Sequence, residues 1–128
     1  MGANVILAVA AGGAIGAVGR YLVAGQIQHM FGGGFPLGTL GVNVIGSLIM
    51  GALVEVMALV WSPSPEIRAL LMVGVLGGFT TFSSFSLDAV LLMERHAWMA
   101  ATLYIAGSVI LSLGGFVLGL RLVRLVLA

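Results

Sequence analysis

The chain lacks cysteine and contains few charged residues. None of its 128 residues is a cysteine, which excludes disulfide bonds and thiolate metal sites. Only 7% of the residues are charged, whereas 61% are hydrophobic and the mean hydropathy is +1.24. An ordinary soluble domain is about one-quarter charged. The composition therefore excludes that class and predicts an integral membrane protein.

Four apolar stretches are long enough to cross a membrane, since a spanning helix needs about 20 largely apolar residues. We predict an all-α fold in which the whole chain, 1–128, forms a single four-helix transmembrane domain. The first stretch could instead be a cleaved secretory signal, but it lacks a basic n-region and its apolar run continues past Ala10. The predicted spans are 4–26, 37–61, 67–93 and 98–125.

The connectors between these stretches are short. They are the segments 32–36, 62–66 and 94–96, and glycine and proline mark the first two as turns. Connectors of this length cannot house a catalytic domain outside the membrane. We therefore expect no enzyme activity.

Four crossings place both termini on one side of the membrane. The arginines are then divided almost equally between the two sides. Arg68, Arg121 and Arg124 lie on the side of both termini, and Arg20 and Arg95 lie on the other. Arginines near helix ends set the orientation, so this weak bias predicts insertion both ways up. The alternative is that Arg121 and Arg124 suffice to fix one orientation.

Small residues recur four positions apart and predict close helix packing. Because four helices rarely enclose a selective polar path, a dimer is the natural next unit. Inverted copies would give that dimer a two-fold axis in the membrane plane. The small-residue pairs are Gly12 with Gly16, Gly74 with Gly78, and Gly115 with Gly119.

Charges within the spans are rare and cost about 2.5–3.5 kcal/mol each at a helix centre. Arg20 follows Gly12 and Gly16 at the same four-residue step, so it should face the bundle and attract anions at a vestibule. Alternatively, Arg20 reaches the headgroups or pairs with a carboxylate such as Asp88. For Glu55, near a helix end, we expect snorkelling.

Hydrogen-bonding side chains form two stripes at the helical step of four. Single serines and threonines often bond to their own backbone or join helices. The amide of Asn43 cannot be satisfied within its own helix, which predicts a contact with another helix or a ligand. The stripes are Thr39, Asn43 and Ser47 in the second stretch, and Tyr104, Ser108 and Ser112 in the fourth.

Residues 77–86 interrupt the third apolar stretch with two glycines and five hydroxyl residues. Irregular or polar backbone at membrane depth survives only where it is buried in protein or lines an aqueous path. We expect residues 77–80, which begin with the pair Gly77 and Gly78, to break the helix near its middle and to free carbonyls. Such carbonyls are ligands for a hard monovalent cation. The helix should resume from Thr81 to Ser86.

Phe82 and Phe85 share one helical face in this segment, and Phe79 extends the row. Such a row is usually core. Here hydroxyl residues alternate with the rings, and the positive edge of a phenyl ring can act with hydroxyl donors to replace part of an anion's hydration. Conduction needs a site that an ion can both enter and leave, and a set of neutral donors provides it.

At these residues the chain resembles the CrcB/Fluc family of bacterial fluoride channels. The resemblance covers the whole length and is most specific in the third stretch. It is carried by Arg20, Gly38-Thr39-Leu40, Asn43, residues 77–86, Tyr104 and Ser108.

The resemblance implies an antiparallel, dual-topology homodimer in the bacterial inner membrane that exports fluoride passively. A paired paralogue could replace the second copy, and the partners are fluoride and the lipid bilayer, not nucleic acid. It also implies a structural, non-transported sodium ion held by the carbonyls of Gly77 and Thr80. The role of Asp88 is left open. The implied anion path comprises Thr39, Asn43, Phe82, Ser84, Phe85, Tyr104, Ser108 and Ser112, with Arg20 at the vestibule.

The alternative function is a small dual-topology exporter of drugs or cations driven by proton exchange. That mechanism needs an intramembrane carboxylate as proton relay in the substrate path. The first stretch has Arg20 and no acid, which favours the channel. A purely structural membrane subunit would leave residues 77–86 without a purpose.

Overall fold

A computed structural model describes residues 2–128, and these residues form a bundle of helices. Four helices are long and apolar enough to cross a membrane. The predicted all-α class and the four crossings are therefore confirmed. The four spanning helices are Ala3–Gly32, Leu37–Leu59, Pro65–Glu94 and Trp98–Leu127.

The first helix runs further than the sequence suggested. Helix α1, Ala3–Ile27, continues as a π-helical turn, Gln28–Gly32, before the chain reverses. Gly33 makes that reversal with a φ of 53°, a region that favours glycine. Helix α2 then spans Leu37–Leu59. The predicted end at residue 26 is too early because the chain stays helical up to the glycine-rich turn.

The third span is composed of several helical segments. It begins as α3, Pro65–Arg68, becomes π-helical over Ala69–Leu76 and returns to α-helix in α4, Gly77–Phe79. After the break, α5 covers Phe82–Glu94. Helix α6, Trp98–Leu127, is the fourth crossing.

The break in the third span lies at Thr80 and Thr81. Both residues have extended backbone, with φ and ψ of −84° and 160° at Thr80 and of −153° and 120° at Thr81. The prediction of a broken third helix is confirmed, and Thr80 lies within the segment 77–80 that was predicted to break it. Gly77 and Gly78 themselves stay helical, and the break extends to Thr81, where the helix was expected to resume. A side chain on Gly78 would lie 2.8 Å from the carbonyl oxygen of Gly13. Glycine is therefore needed at position 78 for close helix packing.

Glycines allow close contact within two pairs of helices. Helix α1 packs on the first half of the third span, where a Cβ on Gly12 would lie 2.9 Å from the Cα of Gly74. Helix α2 packs on α6, where a Cβ on Gly119 would collide with the carbonyl of Leu48. The predicted small-residue packing faces are thus confirmed. Such faces allow backbones to approach closely in lipid.

Glu55 does not snorkel, which corrects the expectation from the sequence. The residue is 5% exposed, and Arg124 Nη2 lies 2.8 Å from its Oε2. Arg124 Nε donates to the same oxygen at 3.2 Å. Because α2 and α6 run side by side, the arginine reaches the carboxylate, and pairing is what makes a buried charge tolerable. The ion pair therefore ties the end of α2 to the end of α6.

Candidate functional site

Asn43 fixes the geometry of the break in the third span. The amide N–H of Thr81 donates to Asn43 Oδ1 at 2.7 Å, and Asn43 Nδ2 donates to the carbonyl of Thr81 at 3.0 Å. The side chain on α2 thus replaces the helical hydrogen bonds that the extended backbone cannot make. The predicted cross-helix contact of Asn43 is confirmed.

Carbonyls at the break, among them those of Gly77 and Thr80, have lost their regular helical donors. The donor for Gly77 would be the N–H of Thr81, which binds Asn43 instead. The donor for Thr80 would be the N–H of Ser84, which is capped by Thr81 Oγ1 at 3.1 Å. Carbonyl oxygens released from a helix are the kind of ligand that coordinates sodium in membrane proteins. The residues present therefore fit the predicted cation site.

Arg20 faces the bundle, as its spacing after Gly12 and Gly16 predicts. Its Nε donates to the carbonyl of Gly78 at 3.0 Å, and the residue is half-buried. The alternative interpretations, a snorkelling side chain or a pair with Asp88, are wrong. Asp88 instead accepts a hydrogen bond from Tyr104 Oη at 3.0 Å. Arg20 therefore binds the backbone just before the break.

A first cavity, of about 590 Å³, lies on the Arg20 side of the break. Three predicted residues line it, one from each of the first three spans. Charged groups of both signs and the amide of Gln28 share the lining. The polar lining residues are Arg20, Tyr21, Gln28, Thr39, Thr81, Ser84, Asp88 and Arg95.

A second cavity, of about 340 Å³, is lined only by uncharged residues. Five predicted anion-path residues meet here, together with both residues of the break. The hydroxyl of Ser108 is buried and has no hydrogen-bond partner among residues 2–128. The lining residues are Asn43, Ser47, Thr80, Thr81, Phe82, Phe85, Ser108, Val109, Ser112 and Leu113.

Four aromatic rings form a row between the two cavities. The centroids of Phe82 and Phe85 are 5.4 Å apart, and those of Phe85 and Tyr104 are 5.3 Å apart. Phe35 continues the row with an edge-on contact to Tyr104 at 5.6 Å. Aromatic pairs at these distances are attractive. The row therefore links rings of the second cavity, Phe82 and Phe85, to a ring of the first, Phe35.

Comparison with known proteins agrees with this architecture. A sequence model of the family described as "CrcB-like protein, Camphor Resistance (CrcB)" matches residues 7–120. The chain belongs to the CrcB family. The "Fluoride-specific ion channel FluC" of Rhodospirillum centenum is 57% identical over 125 residues, which covers 98% of this chain and 99% of the relative.

Further CrcB relatives carry the same name. The "Fluoride-specific ion channel FluC" of Agrobacterium fabrum is 51% identical, and the match covers 93% of this chain and 95% of the relative. The "Fluoride-specific ion channel FluC" of Nitrobacter winogradskyi is 48% identical, and the match covers 94% of this chain and 96% of the relative. With its four membrane-capable helices, this CrcB protein is a multi-pass membrane protein, and the resemblance drawn from the sequence is confirmed.

The structure divides the predicted CrcB anion-path residues between the two cavities. Thr39 and Ser84 lie with Arg20 in the first cavity. Tyr104 lines neither cavity, because it is completely buried and packs in the row of rings. Thr81 belongs to both linings. The remaining predicted residues, Asn43, Phe82, Phe85, Ser108 and Ser112, line the second cavity.

Gln28 was missed by sequence reasoning. Its Oε1 accepts from the N–H of Gly38 at 3.0 Å, and its Nε2 donates to the carbonyl of Phe35 at 3.0 Å. The side chain thus fixes the turn that carries Phe35 against Tyr104. The available signal was an amide at the end of an apolar helix directly before a glycine-rich turn. The predicted span ended at residue 26 and the predicted turn began at residue 32, so Gln28 was assigned to neither.

Proposed function

We propose that this protein is a fluoride channel that lets the anion flow passively down its electrochemical gradient. The observation that carries the proposal is the second cavity, in which hydroxyl, amide and phenyl groups converge without any charged side chain. The relatives named fluoride-specific ion channels match nearly the whole chain. The family is one of ion channels, a class of protein that catalyses no reaction.

The two cavities suit successive steps of anion passage. Arg20 and Arg95 in the first cavity attract an anion from water. The neutral donors of the second cavity replace part of its hydration without holding it by a fixed charge. A conducting site must bind well enough to admit the ion and weakly enough to release it. Fluoride is small and strongly hydrated, so it needs a narrow path with many donors.

The proposed physiological role is to lower fluoride in the cytoplasm from a position in the bacterial inner membrane. Fluoride enters as the neutral acid, dissociates at cytoplasmic pH and is trapped as the anion. The membrane potential then drives the anion out through the channel. No coupled reaction is required.

The working unit is proposed to be an antiparallel homodimer, or a pair with a paralogue. Two observations support a partner at the break. Phe82 is 78% exposed although it lines the second cavity, and Gly77 is exposed at the same level of the third span. The near balance of arginines between the two sides supports insertion in both orientations.

A structural sodium ion is proposed at the two-fold axis of this dimer. The carbonyls of Gly77 and Thr80 would hold it, because their helical donors are engaged elsewhere. The ion would supply a fixed positive charge that joins the two copies. Assembly measured in sodium and in a bulky organic cation tests the point, and dimers of equal stability in both salts would contradict it.

Efflux from liposomes tests the main proposal. Vesicles with purified protein are loaded with fluoride or chloride, an ionophore collapses the potential, and an ion-selective electrode follows release. We expect rapid fluoride release without chloride release. A requirement for a proton gradient would support the proton-coupled exporter instead and would overturn the channel.

A further inference from the structure

Three hydroxyl side chains inside the spanning helices bond to a carbonyl of their own span. Thr80 Oγ1 donates to the carbonyl of Leu76 at 3.1 Å, and Thr102 Oγ1 donates to that of Trp98 at 2.9 Å. Ser86 Oγ does the same with Phe82 at 3.0 Å. This is the ordinary way in which a hydroxyl is satisfied in a helix in lipid.

Three serines of the second cavity depart from this pattern. Among residues 2–128, no side-chain hydrogen bond involves Ser47, Ser108 or Ser112. Ser108 is only 6% exposed, so its hydroxyl has little access to water from outside. The hydroxyl also has no hydrogen-bond partner among residues 2–128. An unpaired buried hydroxyl is unfavourable, because it loses its hydrogen bonds to water without replacing them. These hydroxyls are therefore available to a ligand in the cavity that all three line.

Ser47 lines the cavity from a different helix than the other two serines. It lies on α2, one turn after Asn43, whereas Ser108 and Ser112 lie on α6, which packs beside α2. Its neighbour Gly46 packs on the side chain of Thr80, which holds this part of α2 against the break. Two neighbouring helices thus contribute hydroxyls to the lining of the cavity.

We propose that Ser47 donates a hydrogen bond to the permeating anion in the second cavity, which Ser108 and Ser112 also line. The inference rests on the proposed fluoride conduction and adds to it a donor from α2. The amide nitrogen of Asn43 carries two N–H donors. One binds the carbonyl of Thr81, and the other has no partner among residues 2–128. Donors from two helices surround a small anion more completely than one stripe can.

Three proteins in liposomes test the role of Ser47. Ser47→Ala removes the hydroxyl, Ser47→Thr keeps it and adds a methyl group, and Thr102→Ala is a control at an exposed hydroxyl that lines neither cavity. We expect fluoride efflux to fall about tenfold in Ser47→Ala, the effect of losing one hydrogen bond to a charged group. Ser47→Thr should stay within about twofold of the parent, and Thr102→Ala should be unchanged.

The order of the variants separates the possible outcomes. If Ser47 only fills space, the larger threonine disturbs packing more than alanine, and Ser47→Thr is the slower variant, which overturns the proposal. Unchanged efflux in Ser47→Ala also overturns it. Absence of fluoride efflux in the parent protein would instead overturn the proposed function.

A third variant keeps the proposal testable if Ser47→Ala does not fold. Ser47→Cys has nearly the same shape but is a weak donor. Size-exclusion chromatography first establishes that each variant elutes like the parent. We expect Ser47→Cys to slow efflux about tenfold, and full-speed efflux in this variant would refute the role of the hydroxyl.

Discussion

Asn43 binds both backbone groups of Thr81 through a single amide side chain, at 2.7 Å to the N–H and 3.0 Å to the carbonyl. The third span can therefore leave helical geometry inside the bundle without unpaired groups at Thr81. The same bond pattern releases the carbonyl of Gly77. One side chain on α2 thus determines the shape of the break around which both cavities are built.

Replacing Asn43 by alanine should destabilise the protein. Both hydrogen bonds to Thr81 are lost and two backbone groups stay unpaired, at a cost of about 2–4 kcal/mol. We expect a lower melting temperature in detergent and loss of fluoride efflux. Asn4→Ala, at an exposed position of α1, is the matched control and should melt like the parent. Equal melting of both variants would show that Asn43 does not support the break.

Replacing Phe82 or Phe85 by isoleucine should reduce fluoride flux and leave assembly intact. Both rings line the second cavity, and isoleucine keeps an apolar group of similar bulk but removes the positive ring edge. We expect at least a tenfold slower efflux, the effect of about 1.4 kcal/mol. Phe31→Ile, at an exposed ring remote from the break, should not alter flux. If both Phe82→Ile and Phe85→Ile conduct fluoride like the parent, the two rings serve only in packing.

Removing Arg124 should destabilise the contact between α2 and α6. Arg124→Gln leaves the carboxylate of Glu55 buried without a cation, at a cost of about 1–3 kcal/mol because the arginine itself is half-exposed. Arg121→Gln removes an exposed charge one turn earlier and is the control. Thermal unfolding in detergent measures both. The double change Glu55→Leu and Arg124→Leu should recover much of the loss, and a double variant less stable than Arg124→Gln would contradict the pairing.

Adding one methyl group at Gly16 should disrupt the contact between α1 and the third span. A Cβ there would collide with the carbonyl of Val75, whereas a Cβ on Gly13 would meet nothing within 4 Å. We expect Gly16→Ala to lower the melting temperature and Gly13→Ala to keep or raise it, since alanine favours helix. Similar melting of the two variants would mean that the helices do not pack as described.

Much of the candidate site could be predicted from residue type and spacing. The segment 77–86, the polar amide of Asn43 and the serines at 108 and 112 stand out against apolar helices because polar groups at membrane depth need a reason. The exact position of the break could not be predicted, because Gly77 and Gly78 have the flexibility to break a helix but stay helical, and Gly78 is required for packing on α1. The partners of Arg20 and Glu55 also depend on which helices are neighbours.

Four membrane-spanning helices could be predicted from residue type alone. Hydropathy and length decide that, since an apolar stretch long enough to cross the membrane can be recognised without knowing its neighbours. The packing of the helices was needed to show that Thr80 and Thr81 form the break, that Tyr104 is buried away from both cavities and that Ser47 lines one cavity together with Ser108 and Ser112. The physical reason is that helical spacing defines faces, whereas only the packing of helices on one another defines which faces meet.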